Sequence, residues 1–242
     1  MRVGFFVTCL VDVVRPGIGF AAIKLLENAG CELVVPTTQT CCGQPGYNSG
    51  DVKSGRELAL KFLREFEGCE YVVTPSGSCG GMIRIHYPNI FKDEPDLLKR
   101  LTVITEKTYE LTDFLANIVN FDNFSRRFSE PLTYHDSCAG LRELGIKKQP
   151  RALLDRCGVD LREMVDAEVC CGFGGTFSVK LGDISTRMAE NKCVNIDAAG
   201  AGVVVGGDLG CLLNIEGRLR RNGDRKTKVL HIAEVLADMI QD

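Results

Sequence analysis

The sequence predicts an α/β fold of two pseudo-symmetric βαβ lobes, each with a short parallel sheet, produced by an internal duplication. Three observations lead there. The 32-residue step from Cys9 to Cys41 recurs between Cys138 and Cys170. Each second cysteine opens a Cys-Cys-Gly, Cys41-Cys42-Gly43 and Cys170-Cys171-Gly172, and each is followed at similar distance by a lone cysteine, Cys79 and Cys211. Short apolar runs alternate with helical periodicity through both copies, and alternating strands and helices imply parallel βαβ units.

Within each copy the expected order is strand, helix, strand, long helix, strand, helix. Val3–Thr8 and Leu132–Ser137 read as strands that end at Cys9 and Cys138. Ile18, Ala22, Leu25 and Leu26 share one helical face, with Pro16 near its start and Gly30 as its stop. Leu153-Leu154 and Gly158 repeat that ending. Leu58, Phe62, Leu63 and Phe66 mark the long helix, with a single helix from Phe177 to Ala198 as its counterpart. Tyr71–Thr74 and Gly202–Val205 read as buried strands leading to Cys79 and Cys211. The first lobe is expected at 1–119, a polar linker ending in Pro131 at 120–131, and the second lobe at 132–242.

Composition narrows the function. The net charge is −3, with acidic and basic residues mixed, so no footprint for nucleic acid or an anionic membrane is expected. No apolar stretch approaches the roughly 20 residues that span a bilayer, and the N-terminal apolar run is interrupted too early for a signal peptide. The expected location is the cytoplasm. There thiols stay reduced, so twelve cysteines in 242 residues favour metal or redox chemistry over disulfides.

In parallel α/β folds the carboxyl ends of strands form the ligand crevice, which gathers residues distant in sequence. Cys9, Cys41, Cys42 and Cys79 are therefore the candidate ligands of one centre, and Cys138, Cys170, Cys171 and Cys211 those of a second. Four thiolates suit a [4Fe–4S] cluster, with zinc as the alternative in one site. Adjacent cysteines reach one centre only from an irregular loop, which Gly43 and Gly172 permit.

The pattern Cys, Cys-Cys-Gly, Cys, written twice, resembles the cysteine-rich CCG domain family. That domain occurs in the catalytic B subunit of heterodisulfide reductases, the iron–sulfur subunit of glycolate oxidase and the lactate utilization protein A group. Thr40–Gly46, Cys170–Lys180, Cys211–Ile215 and His231–Leu236 are most similar to the last of these. The resemblance implies an iron–sulfur electron-transfer subunit in a complex with other subunits that oxidises a 2-hydroxy acid, L-lactate to pyruvate. The reductase pattern carries a fifth cysteine per site. Here Met82 and Asn214 stand at those positions, which turns the reading from a thiol/disulfide reductase toward a four-thiolate relay. A zinc-stabilised interaction module is the third alternative.

Other residues have plainer readings. Cys31, Cys69, Cys157 and Cys193 hold no repeated position and are expected in packing. His135 precedes Cys138 by three residues and suits either a donor to a metal-bound sulfur or a structural contact; Phe6 is its counterpart. His86 and Arg84 are expected at the surface, and His231 in core or capping bonds. Gly206–Gly210 lacks the spacing of a nucleotide loop. No catalytic residue emerges.

Overall fold

The computed structural model describes residues 1–124 and 128–240; of the segment expected as a linker, 125–127 lie outside the described residues. The first half begins with strand β1 (Arg2–Phe5), helix α1 (Cys9–Val14), helix α2 (Pro16–Asn28) and strand β2 (Glu32–Val34). A loop carrying Cys41 and Cys42 leads to α3 (Gln44–Asn48) and α4 (Val52–Phe66). Strand β3 (Tyr71–Thr74), α5 (Gly77–Gly81), a π-helical turn (Met82–His86), α6 (Tyr87–Ile90) and α7 (Pro95–Glu106) follow. Strand β4 (Thr108–Glu110), α8 (Leu111–Asp113) and a second π-helical turn (Phe114–Ile118) close this half.

The second half contains β5 (Leu132–His135), α9 (Cys138–Leu144), α10 (Lys148–Arg156), α11 (Thr176–Lys180) and α12 (Gly182–Ala198). It ends with β6 (Val203–Gly206), α13 (Leu209–Arg221), β7 (Lys228–His231) and α14 (Ile232–Ala237).

The strands form two parallel sheets, ordered β2-β1-β3-β4 and β5-β6-β7. Register pairs Val3 with both Leu33 and Tyr71, and Val204 with both Thr133 and Val229. β5 and β6 are buried along their whole length, as expected for strands covered on both faces.

The elements differ from the expectation in four places. The first strand of each half stops at Phe5 or His135, so Cys9 and Cys138 open helices instead of ending strands. Among the described residues the second half has no counterpart of β2 beyond a single bridge between Leu132 and Leu161. Asp160-Leu161-Arg162 offers one apolar side chain where Glu32–Val34 offers two, and cannot cover a strand's length. The helix expected from Phe177 to Ala198 is broken between Lys180 and Gly182, where Leu181 adopts a non-helical backbone. Each half also has a strand after its lone cysteine's helix, β4 and β7, which brief polar-apolar mixing hid from periodicity.

Packing crosses between halves. α2 lies on α14, and one core joins Ile18 and Leu25 to Leu153, Val204 and Leu236. Arg15 pairs with Glu216 at 2.7 Å, and Lys24 Nζ donates to the Ala237 carbonyl at 2.8 Å. A separate core in the first half gathers Phe6, Phe62, Phe66 and Tyr87, with Phe6 and Phe62 edge to face at 5.8 Å. The four remaining cysteines, Cys31, Cys69, Cys157 and Cys193, are buried in these cores. Among the described residues no helix is long and apolar enough to cross a membrane.

Candidate metal centres

The first centre is assembled from three places. Cys9 is the first residue of α1, just past the carboxyl end of β1. Cys79 lies in the first turn of α5, where its N–H donates to Ser76 Oγ at 3.3 Å. The Cys-Cys-Gly loop is tied to β1 by Gln39, whose side chain accepts from Val7 N at 2.8 Å and donates to the Phe5 carbonyl at 3.3 Å. Gly43 sits at φ 85°, a left-handed backbone that turns its N–H onto Cys41 Sγ at 3.3 Å. Tyr87 hydroxyl donates to the Cys42 carbonyl at 2.8 Å, and Cys42 and Cys79 sulfurs stand 3.4 Å apart. The Cys41 thiol interacts with those of Cys42 and Cys9, which links the four expected cysteines in a chain.

The second centre repeats this backbone. Cys138 opens α9, and Cys211 lies in the first turn of α13. Gly172 also sits at φ 85°, and its N–H meets Cys170 Sγ at 3.3 Å. A Cβ at Gly172 would come within 2.7 Å of the Ser185 carbonyl, so glycine is required for space as well as conformation. Asn214 Nδ2 donates to the Cys171 carbonyl at 2.9 Å, the counterpart of the Tyr87 bond. Cys170 contacts Cys138 and Cys171, and Cys171 contacts Cys211.

Electrostatics follow from these contacts. Hydrogen bonds from Cys42 and Cys9 hold Cys41 well below the usual thiol range. Bonds from Cys138 and Cys171 do the same for Cys170. The outer donors shift the other way: Cys9 is pushed up by its bond to Cys41 and by burial, and Cys138 by its bond to Cys170 and by burial. A thiolate in each set is thus favoured, and thiolate is the metal-binding form.

The two positions expected to lack a fifth thiol have structural roles. Met82 is fully buried in the aromatic core, and Asn214 braces the Cys171 loop. His231 caps α14, accepting from Ala233 N at 3.1 Å, and its Nε2 lies 3.1 Å from the Pro75 carbonyl. His86 is half-buried beside Glu143, and Arg84 covers the Tyr109 ring rather than a pocket. His135 is different. It is 1% exposed, neither ring nitrogen has a partner, and it lies within 4.8 Å of the Cys171 and Cys211 sulfurs.

The centres share a joint. Ser76 caps α5 and Asp208 caps α13, and Ser76 Oγ donates to Asp208 at 3.1 Å. Ser78 N–H donates to the same carboxylate at 2.9 Å. α5 crosses α9 beside it, and a Cβ at Gly77 would lie 2.8 Å from Gly140 Cα. Two cavities of about 280 and 250 Å³ flank the joint, the first bordered by Cys9 and Cys79, the second by Cys138 and Cys211. Both touch Gln44, Phe173 and Asp208.

Sequence reasoning missed this joint, together with Tyr87 and Lys192. Lys192 carried a signal, a lysine on the apolar face of α12 between Ala189 and Ile196. The joint carried none, because it pairs residues more than 100 positions apart.

The donor sets fit a metal–thiolate group: each offers four sulfurs, and His135 adds an orphaned buried polar group beside the second. A family model described as "Cysteine-rich domain" (CCG) matches residues 3–84 and again 132–216. "Lactate utilization protein A 2" of Bacillus cereus (strain Q1) is 43% identical over 238 residues, 98% of either chain. "Lactate utilization protein A" of Bacillus cytotoxicus is 45% identical over 237 residues, again 98% of both. The chain belongs to the CCG cysteine-rich domain family and, within it, to the lactate utilization protein A group. In fold it is similar to the crystal structure of a hypothetical protein from Helicobacter pylori, with TM-score 0.70 at 11% identity. That match covers all of this chain and 49% of the other, so this chain spans about half its length.

Proposed function

We propose that this chain is the iron–sulfur electron-transfer subunit of a cytoplasmic multi-subunit complex that oxidises a 2-hydroxy acid, L-lactate to pyruvate. Cys9, Cys41, Cys42 and Cys79 hold one centre; Cys138, Cys170, Cys171 and Cys211 hold the other. The observation that carries the reading is the chain of thiol interactions that runs through four cysteines in each half, each set braced by the same Gly N–H to Cys Sγ bond. A bound cluster supplies one-electron redox chemistry. The chain's own residues supply thiolates, N–H donors and a rigid spacing between the sites. The substrate follows from the relatives' names, and its oxidation belongs to partner subunits.

The test is anaerobic purification with iron, acid-labile sulfide and zinc quantified. Iron and sulfide at both sets are expected, with visible absorption bleached by dithionite. Cys42→Ser and Cys171→Ser should each remove one centre and leave the other. Reduction of the loaded subunit by the lactate-oxidising partner, with no turnover of disulfides by the subunit alone, separates electron transfer from a thiol/disulfide reductase.

The 3.4 Å contact between Cys42 and Cys79 favours a second reading, a zinc-stabilised interaction module. Two thiolates on one tetrahedral zinc stand about 3.8 Å apart, given Zn–S bonds of about 2.3 Å. Colourless protein with zinc at both sets would select it.

A further inference from the structure

The two centres have matching backbones but unlike surroundings. The buried residues of α4 are Gly55, Ala59, Phe62, Leu63 and Phe66; those of α12 fall in the same register as Ser185, Ala189, Lys192, Cys193 and Ile196. Phe62 therefore corresponds to Lys192, as Phe6 corresponds to His135. Beside the first set, Phe6 and Phe62 pack edge to face in a core that includes Cys42 and Cys79. Beside the second set, the same two positions hold a buried imidazole and a buried ammonium.

Lys192 is 1% exposed. Its Nζ donates to the main-chain carbonyls of Asp166 at 2.6 Å and Ala167 at 3.3 Å, with Met164 Sδ at 4.0 Å. Among the described residues no carboxylate pairs with it: the Asp166 side chain is exposed, and Asp136 is engaged by Arg151 at 2.8 and 2.9 Å. Burial pushes its ammonium down, and the thiols of Cys171 and Cys170 oppose that shift. An unpaired buried cation is costly without a compensating anion. Its register with Phe62, which shares a core with Cys42 and Cys79, puts it on the helix face toward the second set, where a metal–thiolate centre carrying net negative charge would be that anion. The unpartnered His135 ring likewise has a donor to give, and the Cys171 and Cys211 sulfurs lie within 4.8 Å of it. Asp208 is the opposing charge. It is met by Ser76 Oγ, Ser78 N–H and Gly210 N–H, and it borders the cavities of both sets.

We infer that His135 and Lys192 make the second centre the more easily reduced of the two, so that an electron entering the chain settles at Cys138, Cys170, Cys171 and Cys211. A nearby cation and an N–H donor to sulfur both favour the more negative, reduced state. Both centres have the glycine N–H to sulfur, but at the positions of His135 and Lys192 the first centre has only Phe6 and Phe62. This rests on the iron–sulfur reading above.

The experiment is a dithionite titration of the anaerobically reconstituted full chain, followed by EPR. Two one-electron waves are expected. Lys192→Met and His135→Phe should each move the upper wave to lower potential and leave the lower wave in place. Lys192→Arg and His135→Gln, which keep the charge and the donor, should hold it near wild type. Phe62→Met, at the matching position of the first half, should leave the upper wave unmoved. Coincident waves in the wild type, a shift confined to the lower wave, or no shift in folded variants with full iron content would overturn the inference. Should one variant fail to fold, the wild-type waves and the other variant decide. Wild-type protein that takes up no iron and sulfide would instead overturn the iron–sulfur reading itself.

Discussion

Two side chains hold the carbonyls of Cys42 and Cys171, and they come from different residue types at different distances: Tyr87 in the first half, Asn214 in the second. Both bonds keep a cysteine loop from relaxing away from its lone partner. Tyr87→Phe removes, with no change of shape, the hydroxyl that donates to the Cys42 carbonyl and should lower stability by about 1–2 kcal/mol. Chemical denaturation checks this, and faster loss of metal from the first site to a chelator should accompany it. Glu110 gives a pH prediction. It is fully buried, accepts from Thr112 N–H at 2.8 Å, and has one carboxyl oxygen without a partner. Burial pushes its carboxyl up to about 7. A raised folded-state value means the folded chain holds the proton more tightly than the unfolded chain. The stabilisation is complete below the ordinary value of 4.5 and is lost as pH rises through about 7. Its size is on the order of 3 kcal/mol. Glu110→Gln should flatten stability over that window, as read from denaturation midpoints between pH 5 and 8, values chosen to bracket the roughly 7 expected of the carboxyl. At this scale the repeated spacing of the eight cysteines was legible because it is written in one residue type at matching intervals. Tyr87 was not, since a tyrosine that braces a carbonyl looks like any core aromatic.

Among elements, the crossing of α5 and α9 matters most. Each carries a cysteine, Cys79 or Cys138, and they touch at Gly77 and Gly140. The neighbour of an added Cβ at Gly77 is backbone, which cannot swing aside. Gly77→Val should cost roughly 2–4 kcal/mol by overpacking. It should lower the melting temperature and reduce metal content at both centres together, whereas Val at exposed Gly202, where an added side chain meets open space, should leave metal content unchanged. The elements themselves were legible where periodicity was long. The α2 face of Ile18, Ala22, Leu25 and Leu26 is buried as its spacing implies. Short pieces were not: three-residue β4 is too brief for alternation to register, and the break at Leu181 is a local backbone choice that the helical pattern on either side conceals.

Across the whole molecule, the core does not divide where the sequence does. α2 packs against α14 and shares a core with β6, although the linker expected at 120–131 separates them. Separating the chain within that segment would expose this apolar surface in both fragments. Residues 1–124 and 128–242 expressed apart should therefore aggregate, and co-expression should return soluble, co-purifying fragments. The repeated cysteine intervals revealed a duplication pattern, but no interval could reveal that the C-terminal helix returns to the first half. That return depends on α14 being buried along its whole length, with Ile232, Val235 and Leu236 supplying the apolar contact and Glu234 satisfied by the His231 N–H, and on a partner face about 200 residues upstream.

The contact of Gly77 with Gly140 also bears on timing. Electron tunnelling weakens exponentially with the gap between donor and acceptor, so a breathing gap gives a spread of rates. Here main chain rests on main chain, and the caps beside it are fastened to each other by Ser76 and Asp208. For centres that exchange electrons, such a fixed gap gives a single hopping rate that thermal motion leaves nearly unaltered.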